Sequence, residues 1–297
     1  MRPSFKTWST PVTHELSRLI PCNLCGGTGF RFHFACEGFG YVRCRTCGLV
    51  QMNPQPEVAA VARRYQDAYG ADYLAYEQAN EASFLGLQEL ALSDAGFFDL
   101  EGAFFAQGRH ALLDVGCATG ALLALLRDRG WETTGVEICT PAQGYARDVR
   151  QLDVRGLPLE ENRFPDGGFD VVLASHVIEH LNNPGGFVRE VYRILRPGGR
   201  FLVTTPNIEG FQARLFRHRW RSAIFDHLFL FSVKTLSRLL IDAGFRVLRV
   251  RTWGGLAAGS APKVVKGLCD RGAKAIGLGD VMILHATTCP GGILRGR

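Results

Sequence analysis

From Ala111 onward the apolar positions follow two alternating rhythms. Short runs without polar alternation, ALLDV (111–115), ETTGVEI (132–138), LDVRG (152–156), FDVVLAS (169–175) and RFLVTT (200–205), read as strands buried on both faces. Between them ALLALLRDRG (121–130), PAQGYARDV (141–149) and GGFVREVYRIL (185–195) read as helices. The alternation predicts an α/β fold, a mostly parallel sheet with helices on both faces. A helix over 233–244 and strands over 245–252 and 280–288 follow, with a further helix expected over 262–277 and a disordered tail from 289. Upstream, Val58, Val61, Tyr65, Tyr69, Leu85 and Leu92 are spaced as helix faces. The breaker NPQP (53–56) separates that stretch from what precedes it.

The preceding segment carries its own chemistry. Cys22-x-x-Cys25 and Cys44-x-x-Cys47 form two matched pairs, with Gly26, Gly27 and Gly48 just behind them. Two such knuckles on two turns supply the four soft ligands of a tetrahedral structural zinc, so Cys22, Cys25, Cys44 and Cys47 are expected to bind one. His33 and Cys36 lie inside the loop as spare donors, and Cys117, Cys139, Cys269 and Cys289 have no comparable spacing. The expected layout is an N-terminal segment and zinc ribbon over 1–52, a helical cap over 53–108, a catalytic domain over 109–288 and the tail.

The chain has 297 residues, 46% of them hydrophobic and 21% charged, enough for one sizeable core plus an appendage. No apolar run is long enough for a bilayer, and MRPSFKTWST lacks the apolar stretch of a signal peptide, which predicts a soluble cytoplasmic protein. The net charge of +6 permits an anionic partner without requiring one.

LLDVGCATG (112–120) joins a strand to a helix. Gly116 and Gly120 let backbone pass close to a ligand, and the helix amino end favours negative charge. Such ligands lie beyond the carboxyl ends of parallel strands. Glu137 closes the next strand, where a carboxylate can accept from ribose hydroxyls. The glycine spacing is not that of a nicotinamide fingerprint.

Taken in order, D-x-G-x-x-x-G at 114–120, the acid Glu137, FDVV at 169–172, IEHL at 178–181, LRPGG at 195–199 and TPN at 205–207 resemble the class I S-adenosylmethionine-dependent methyltransferases, whose sheet is Rossmann-like with an antiparallel last strand. The resemblance implies that Asp114, Gly116, Cys117, Ala118 and Gly120 line the methionine end of the cofactor. It implies that Glu137 holds the ribose, that Ile138 and Leu157 flank the adenine, and that Ser175, His176 and Val177 lie beneath the sulfonium. Ala118 replaces the usual middle glycine, and Gly156 replaces an acid often found after the third strand, for which Glu160 or Glu161 would compensate. The knuckles followed by a helical segment resemble a bacterial subgroup associated with modification of sugars and other small metabolites.

SHVIEHL (175–181) gathers His176, Glu179 and His180 at a strand end, and His227 follows in FDHLFLFS. An oxygen or nitrogen acceptor must lose a proton, and histidine is the natural base, so His176, His180 and His227 are catalytic candidates. The small-RNA 2′-O-methyltransferases and the ubiquinone-pathway O-methyltransferases look similar here and carry E-x-x-E-H with a later histidine as a metal site. That implies a second divalent metal at His176, Glu179, His180 and His227, although His176 replaces the first glutamate. Otherwise Glu179 and His180 only satisfy a turn. The insert at 208–227 mixes Arg214, Arg217, Arg219 and Arg221 with Phe211, Phe216 and Trp220. It suits a phosphate beside a ring, or forms a plain amphipathic lid. The expected function is methylation of a small-molecule hydroxyl, on a sugar or secondary-metabolite-like acceptor, with a nucleotide-linked or phosphate-bearing substrate in view. The alternative is a nucleic-acid role, RNA methylation using the ribbon and the basic insert.

Overall fold

The computed structural model describes residues 17–36, 38–57, 68–254 and 277–289. Val58, Val61 and Tyr65, the expected helix up to Ile276, and the tail beyond Cys289 lie outside the described residues. In chain order the elements are β1 (Ser17–Arg18), β2 (Phe30–Cys36), β3 (Phe39–Cys44), β4 (Val50–Met52), β5 (Gln55–Pro56) and α1 (Ala68–Asp94). Next come α2 (Glu101–Phe105), β6 (Ala111–Val115), α3 (Ala121–Asp128), β7 (Glu132–Val136), α4 (Thr140–Asp148), β8 (Asp153–Arg155), β9 (Phe169–Ser175) and α5 (Pro184–Ile194). The chain then forms β10 (Leu195–Pro206), α6 (Phe211–Phe216), β11 (Phe229–Leu230), α7 (Val233–Asp242), β12 (Phe245–Trp253) and β13 (Val281–Thr288).

The main sheet has seven strands in the order β12-β13-β10-β9-β6-β7-β8. β6 to β10 run parallel, and β13 is antiparallel to both β10 and β12. The Rossmann-like α/β sheet expected from the apolar runs is therefore present, with its last strand reversed. From β6 the chain moves outward through β7 and β8, then crosses back to place β9 on the other side of β6. That reversal opens a crevice at the carboxyl ends of β6 and β9.

Local chemistry explains the framework. β13 is buried at every position, as a strand covered on both faces requires. Asn183 caps α5 by accepting from the Gly186 amide at 2.9 Å, with Pro184 in the first turn. Ser232 and Thr235 form a reciprocal capping box on α7. The aspartate of FDVV, Asp170, is fully buried and compensated by Arg109 and Arg196, each at 2.8 Å, and by the Ala111 amide. That residue ties the start of β6 to LRPGG and has no access to the crevice mouth.

β2, β3 and β4 form an antiparallel sheet whose fourth strand, β11, comes from the segment after β10. The cysteine-bearing sheet is thus completed by a strand from the segment that follows β10 of the main sheet. α1 lies over α3 and α4, beside the crevice. No helix among the described residues is long and apolar enough to cross a membrane.

Candidate active site

The loop after β6 turns through three left-handed residues, Gly116 (φ 74°), Ala118 (φ 49°) and Gly120 (φ 76°). At Gly116 a Cβ would stand 2.4 Å from Val177 Cγ2, so the loop touches the residues that follow β9. Only glycine permits that approach. Ala118 holds a conformation unusual for alanine, and its amide donates to Glu137 Oε2 at 3.0 Å. The Cys139 amide donates to Oε1 at 2.7 Å. Glu137 is therefore locked in place by main chain. The Cys117 side chain turns inward: a Cβ on Gly135 would lie 2.7 Å from its sulfur. Any contact of Cys117 with a cofactor thus falls to its main chain.

Asp114 is buried at the end of β6, and burial, with the Glu137 charge beyond it, pushes its carboxyl up to about 8. Burial also raises Glu137, against the pull of its three amide donors. From α1, Glu77 is raised to about 7 by burial and by the Glu137 charge, and it also feels His176. One turn on, Glu81 accepts from Thr119 Oγ1 at 2.9 Å and from Arg150 at 2.5 Å, which latches α1 over the loop. With the Glu137 charge raising both Asp114 and Glu77, this end of the cleft is suited to a cation. The apolar spacing that identified α1 gave no sign of Glu77 or Glu81. Leu157 is half exposed at the rim, and a Cβ on Gly156 would meet the Gln143 side chain at 2.6 Å, so Gln143 occupies that corner.

Past Ser175 the chain turns sharply, with His176 at φ 55°. His176 Nδ1 lies 3.1 Å from Glu179 Oε1, and Thr205 Oγ1 donates to Oε2 at 2.9 Å. Burial works against the Glu179 charge, yet the His176 hydrogen bond and the three surrounding imidazoles hold the carboxyl down at about 2. His180 Nδ1 faces the Asp226 carbonyl at 2.9 Å, and His227 Nδ1 faces the Ser222 carbonyl at 2.8 Å. Each of these partners only accepts, so each Nδ1 carries the proton and each Nε2 is left bare. The His180 and His227 rings meet edge to face at 4.7 Å, and a donor atom from each lies within 4.8 Å of a Glu179 oxygen. Burial first, then His180, lowers His227 to about 3, so it stays neutral. His176 is half exposed and stands on the crevice side of this cluster.

The four cysteine Sγ atoms also lie within 4.8 Å of one another. The two knuckles repeat one pattern. Gly26 N donates to Cys22 O at 2.8 Å and Gly48 N to Cys44 O at 3.0 Å. Cys22 N donates to Gly27 O and Cys44 N to Leu49 O, both at 2.9 Å. Burial opposes ionisation of Cys44, but the Cys47 and Thr46 amides and the nearby thiols bring it down to about 6. Cys36 instead faces the His218 carbonyl, outside this cluster. The cysteine sheet reaches the imidazole cluster through Tyr41, whose hydroxyl lies 2.7 Å from the His227 carbonyl and 2.9 Å from that of Ile224.

The sheet order, the glycine turn against β9 and the acid at the end of β7 together form a crevice of the kind that holds a nucleotide in doubly wound α/β folds. Residues 87–250 match the family model described as Methyltransferase domain, and the chain belongs to that family. Similar curated proteins include a probable S-adenosylmethionine-dependent methyltransferase of Mycolicibacterium smegmatis, 42% identical over 98 residues, which are 32% of this chain and 38% of that protein. The ubiquinone biosynthesis O-methyltransferase of Caulobacter vibrioides is 35% identical over 117 residues, 37% of this chain and 46% of that protein. The chain spans less than half the length of either relative. Among solved structures, the putative methyltransferase of Haloferax volcanii, in complex with the Trm112 activator, has a TM-score of 0.56 at 18% identity, over 75% of this chain and 96% of that one. A methyltransferase from Archaeoglobus fulgidus has a TM-score of 0.53 at 16% identity, over 73% and 99%. At these identities the likeness concerns the fold.

Proposed function

We propose that the protein transfers a methyl group from S-adenosylmethionine to a hydroxyl of a small-molecule acceptor, with His176 as the general base and Glu179 as its orienting partner. The observation that carries this reading is the contact of His176 Nδ1 with the buried Glu179 carboxylate at 3.1 Å, which directs Nδ1–H to Glu179 and turns Nε2 away from it. Sulfonium methyl transfer is an in-line displacement with a cationic leaving group, so the protein mainly aligns the nucleophile and removes its proton. The acceptor hydroxyl gives its proton to His176 Nε2 as its oxygen takes the methyl carbon, and the sulfur keeps the departing bond pair. Asp114 receives the methionine ammonium and Glu137 the ribose hydroxyls, with Ser175, His176 and Val177 beneath the sulfonium. The similarity to ubiquinone biosynthesis O-methyltransferases supports oxygen as the acceptor atom. The four cysteines hold a structural zinc, a role supported by the matched knuckles and by the gathering of the four sulfurs within 4.8 Å of one another.

A second reading is favoured by His180 and His227. Both present bare Nε2 atoms beside a carboxylate, and both have Nδ1 anchored on main-chain carbonyls, the outer-shell arrangement of histidine metal ligands. The donor set fits zinc, manganese or iron better than magnesium, and Glu179, His180 and His227 would hold the ion. A bound cation would polarise an acceptor hydroxyl and so favour its deprotonation. The test is transfer to a panel of sugar and catechol hydroxyls by His176→Gln protein, before and after chelation. Loss of roughly a hundredfold or more in His176→Gln, with no effect of the chelator, is the outcome expected of the base. Full activity in His176→Gln overturns it, and chelator-sensitive turnover assigns the chemistry to the cation.

A further inference from the structure

The cysteine sheet and the segment after β10 meet at a place that neither the crevice nor the thiol cluster uses. Arg31 and Arg43 are directly opposed on β2 and β3, so their side chains leave the same face. Tyr41 lies two residues before Arg43 and shares that face, and its hydroxyl is bonded to the carbonyls of Ile224 and His227. Arg43 is therefore aimed at the methyltransferase body, and its side chain is only 18% exposed. β2 also packs on the single turn Arg217–Arg219, and Arg214 stands one helical turn earlier on α6.

These cations act on one another. The charges of Arg31 and Arg214 add to burial in depressing Arg43. Burial, then Arg43, Arg31 and Arg217, hold His33 at about 4, which leaves it a neutral hydrogen-bonding ring. Like charges placed directly opposite on a sheet destabilise it. Compensation among the described residues is slight. Glu209 Oε1 is 3.9 Å from Arg43 Nη1, beyond hydrogen-bond length, and the buried Arg43 Nε has no hydrogen-bond partner among the described residues. A guanidinium turned inward with an unused N–H is a costly arrangement that an anion would relieve.

We propose that Arg31, Arg43, Arg214 and Arg217 form an anion subsite for a phosphate or diphosphate group carried by the methyl acceptor, with Arg43 as the inner contact and Glu209 displaced when it binds. The proposal rests on the reading of the imidazole cluster as the acceptor end of the site. Two residues of strand separate Arg43 from Tyr41, about 7 Å. A phosphate on a polynucleotide has the same chemistry, but extended strands bind along exposed basic stripes, and the inner cation here is largely buried.

The test titrates the full chain with inorganic pyrophosphate, with and without S-adenosylhomocysteine, by isothermal calorimetry. One saturable site per chain is expected, weakened roughly tenfold or more in both Arg43→Gln and Arg214→Gln. Arg214 is exposed on its helix, so its variant tests the subsite even if Arg43→Gln folds poorly. Arg127→Gln, on the exposed side of α3, should bind as the wild type does. The absence of a saturable site, or unchanged affinity in both variants, overturns the proposal. So does tight, steeply salt-dependent binding of a short oligoribonucleotide that pyrophosphate does not displace. Failure of the wild type to bind S-adenosylhomocysteine would instead remove the methyltransferase reading, and the titration without it would still decide the subsite.

Discussion

Affinity for S-adenosylhomocysteine is expected to rise with pH between about 6 and about 8, and the size of the rise follows from Asp114. In the free protein burial and the Glu137 charge raise its carboxyl to about 8. With Asp114 against the ligand's ammonium, only the ionised form binds well, so affinity follows the ionised fraction. That fraction is about one in a hundred at two units below the pKa and about one half at the pKa, a gain of roughly 50-fold. The sign is fixed: a carboxyl raised in the free state and ionised in the complex gives up a proton on binding, so acid weakens the complex. Near pH 7 Asp114 alone should release about 0.9 proton per ligand bound. Calorimetry in two buffers of different ionisation enthalpy reads that number directly. Glu77, held at about 7, contributes to the lower half of the window, and Glu77→Gln separates the two. In that variant the rise should persist up to about 8. A flat affinity across the window, or no proton release, would refute the placement of Asp114 at the cationic end of the cofactor.

Other consequences are as definite. Gly116→Ala should cost about 1–3 kcal/mol and most cofactor affinity, because φ is +74° and the new methyl would meet Val177 at 2.4 Å; an unchanged melting temperature would contradict the loop geometry. Tyr41→Phe should destabilise by about 1–3 kcal/mol, since the buried His227 carbonyl loses the phenol donor while the Ile224 carbonyl keeps only the His227 amide, and should lower kcat by loosening the His227 segment; a normal kcat would mean the cysteine sheet does not position that segment. Cys44→Ser should lose one zinc and unfold at markedly lower temperature, because structural zinc binding is folding free energy. Retention of zinc by that variant would remove the four-cysteine site.

Much of the frame was legible because buried parallel strands announce themselves. FDVVLAS, ALLDV and RFLVTT each carry three or more consecutive apolar residues, and each is a central strand. The glycine turn was legible for a similar reason: left-handed positions beside a close contact leave few choices of residue. The paired knuckles advertised themselves by spacing. What escaped has no local signal. β11 is two residues long, and its partner β4 lies about 180 positions earlier, so no periodicity marks the pair. Tyr41 reads as an ordinary strand aromatic until the His227 carbonyl is beside it. Glu77 and Glu81 read as the solvent face of a helix, since nothing local reveals that α1 lies across the crevice. No element was expected over 196–199, yet the strand runs through those residues with an irregular register.

The central claim is a cofactor cleft with an imidazole–carboxylate cluster at one end, braced by a zinc-bearing sheet. Native mass spectrometry of the desalted chain, mixed with S-adenosylhomocysteine and then with zinc or manganese, tests it most directly. The predicted result is one S-adenosylhomocysteine and one zinc per chain, the zinc lost in Cys44→Ser and the ligand lost in Asp114→Ala. A second ion that disappears in a His180→Ala/His227→Ala double variant would place a cation at the acceptor end instead of a lone histidine base. A chain that binds no S-adenosylhomocysteine, or that binds it equally well as Asp114→Ala, would contradict the account.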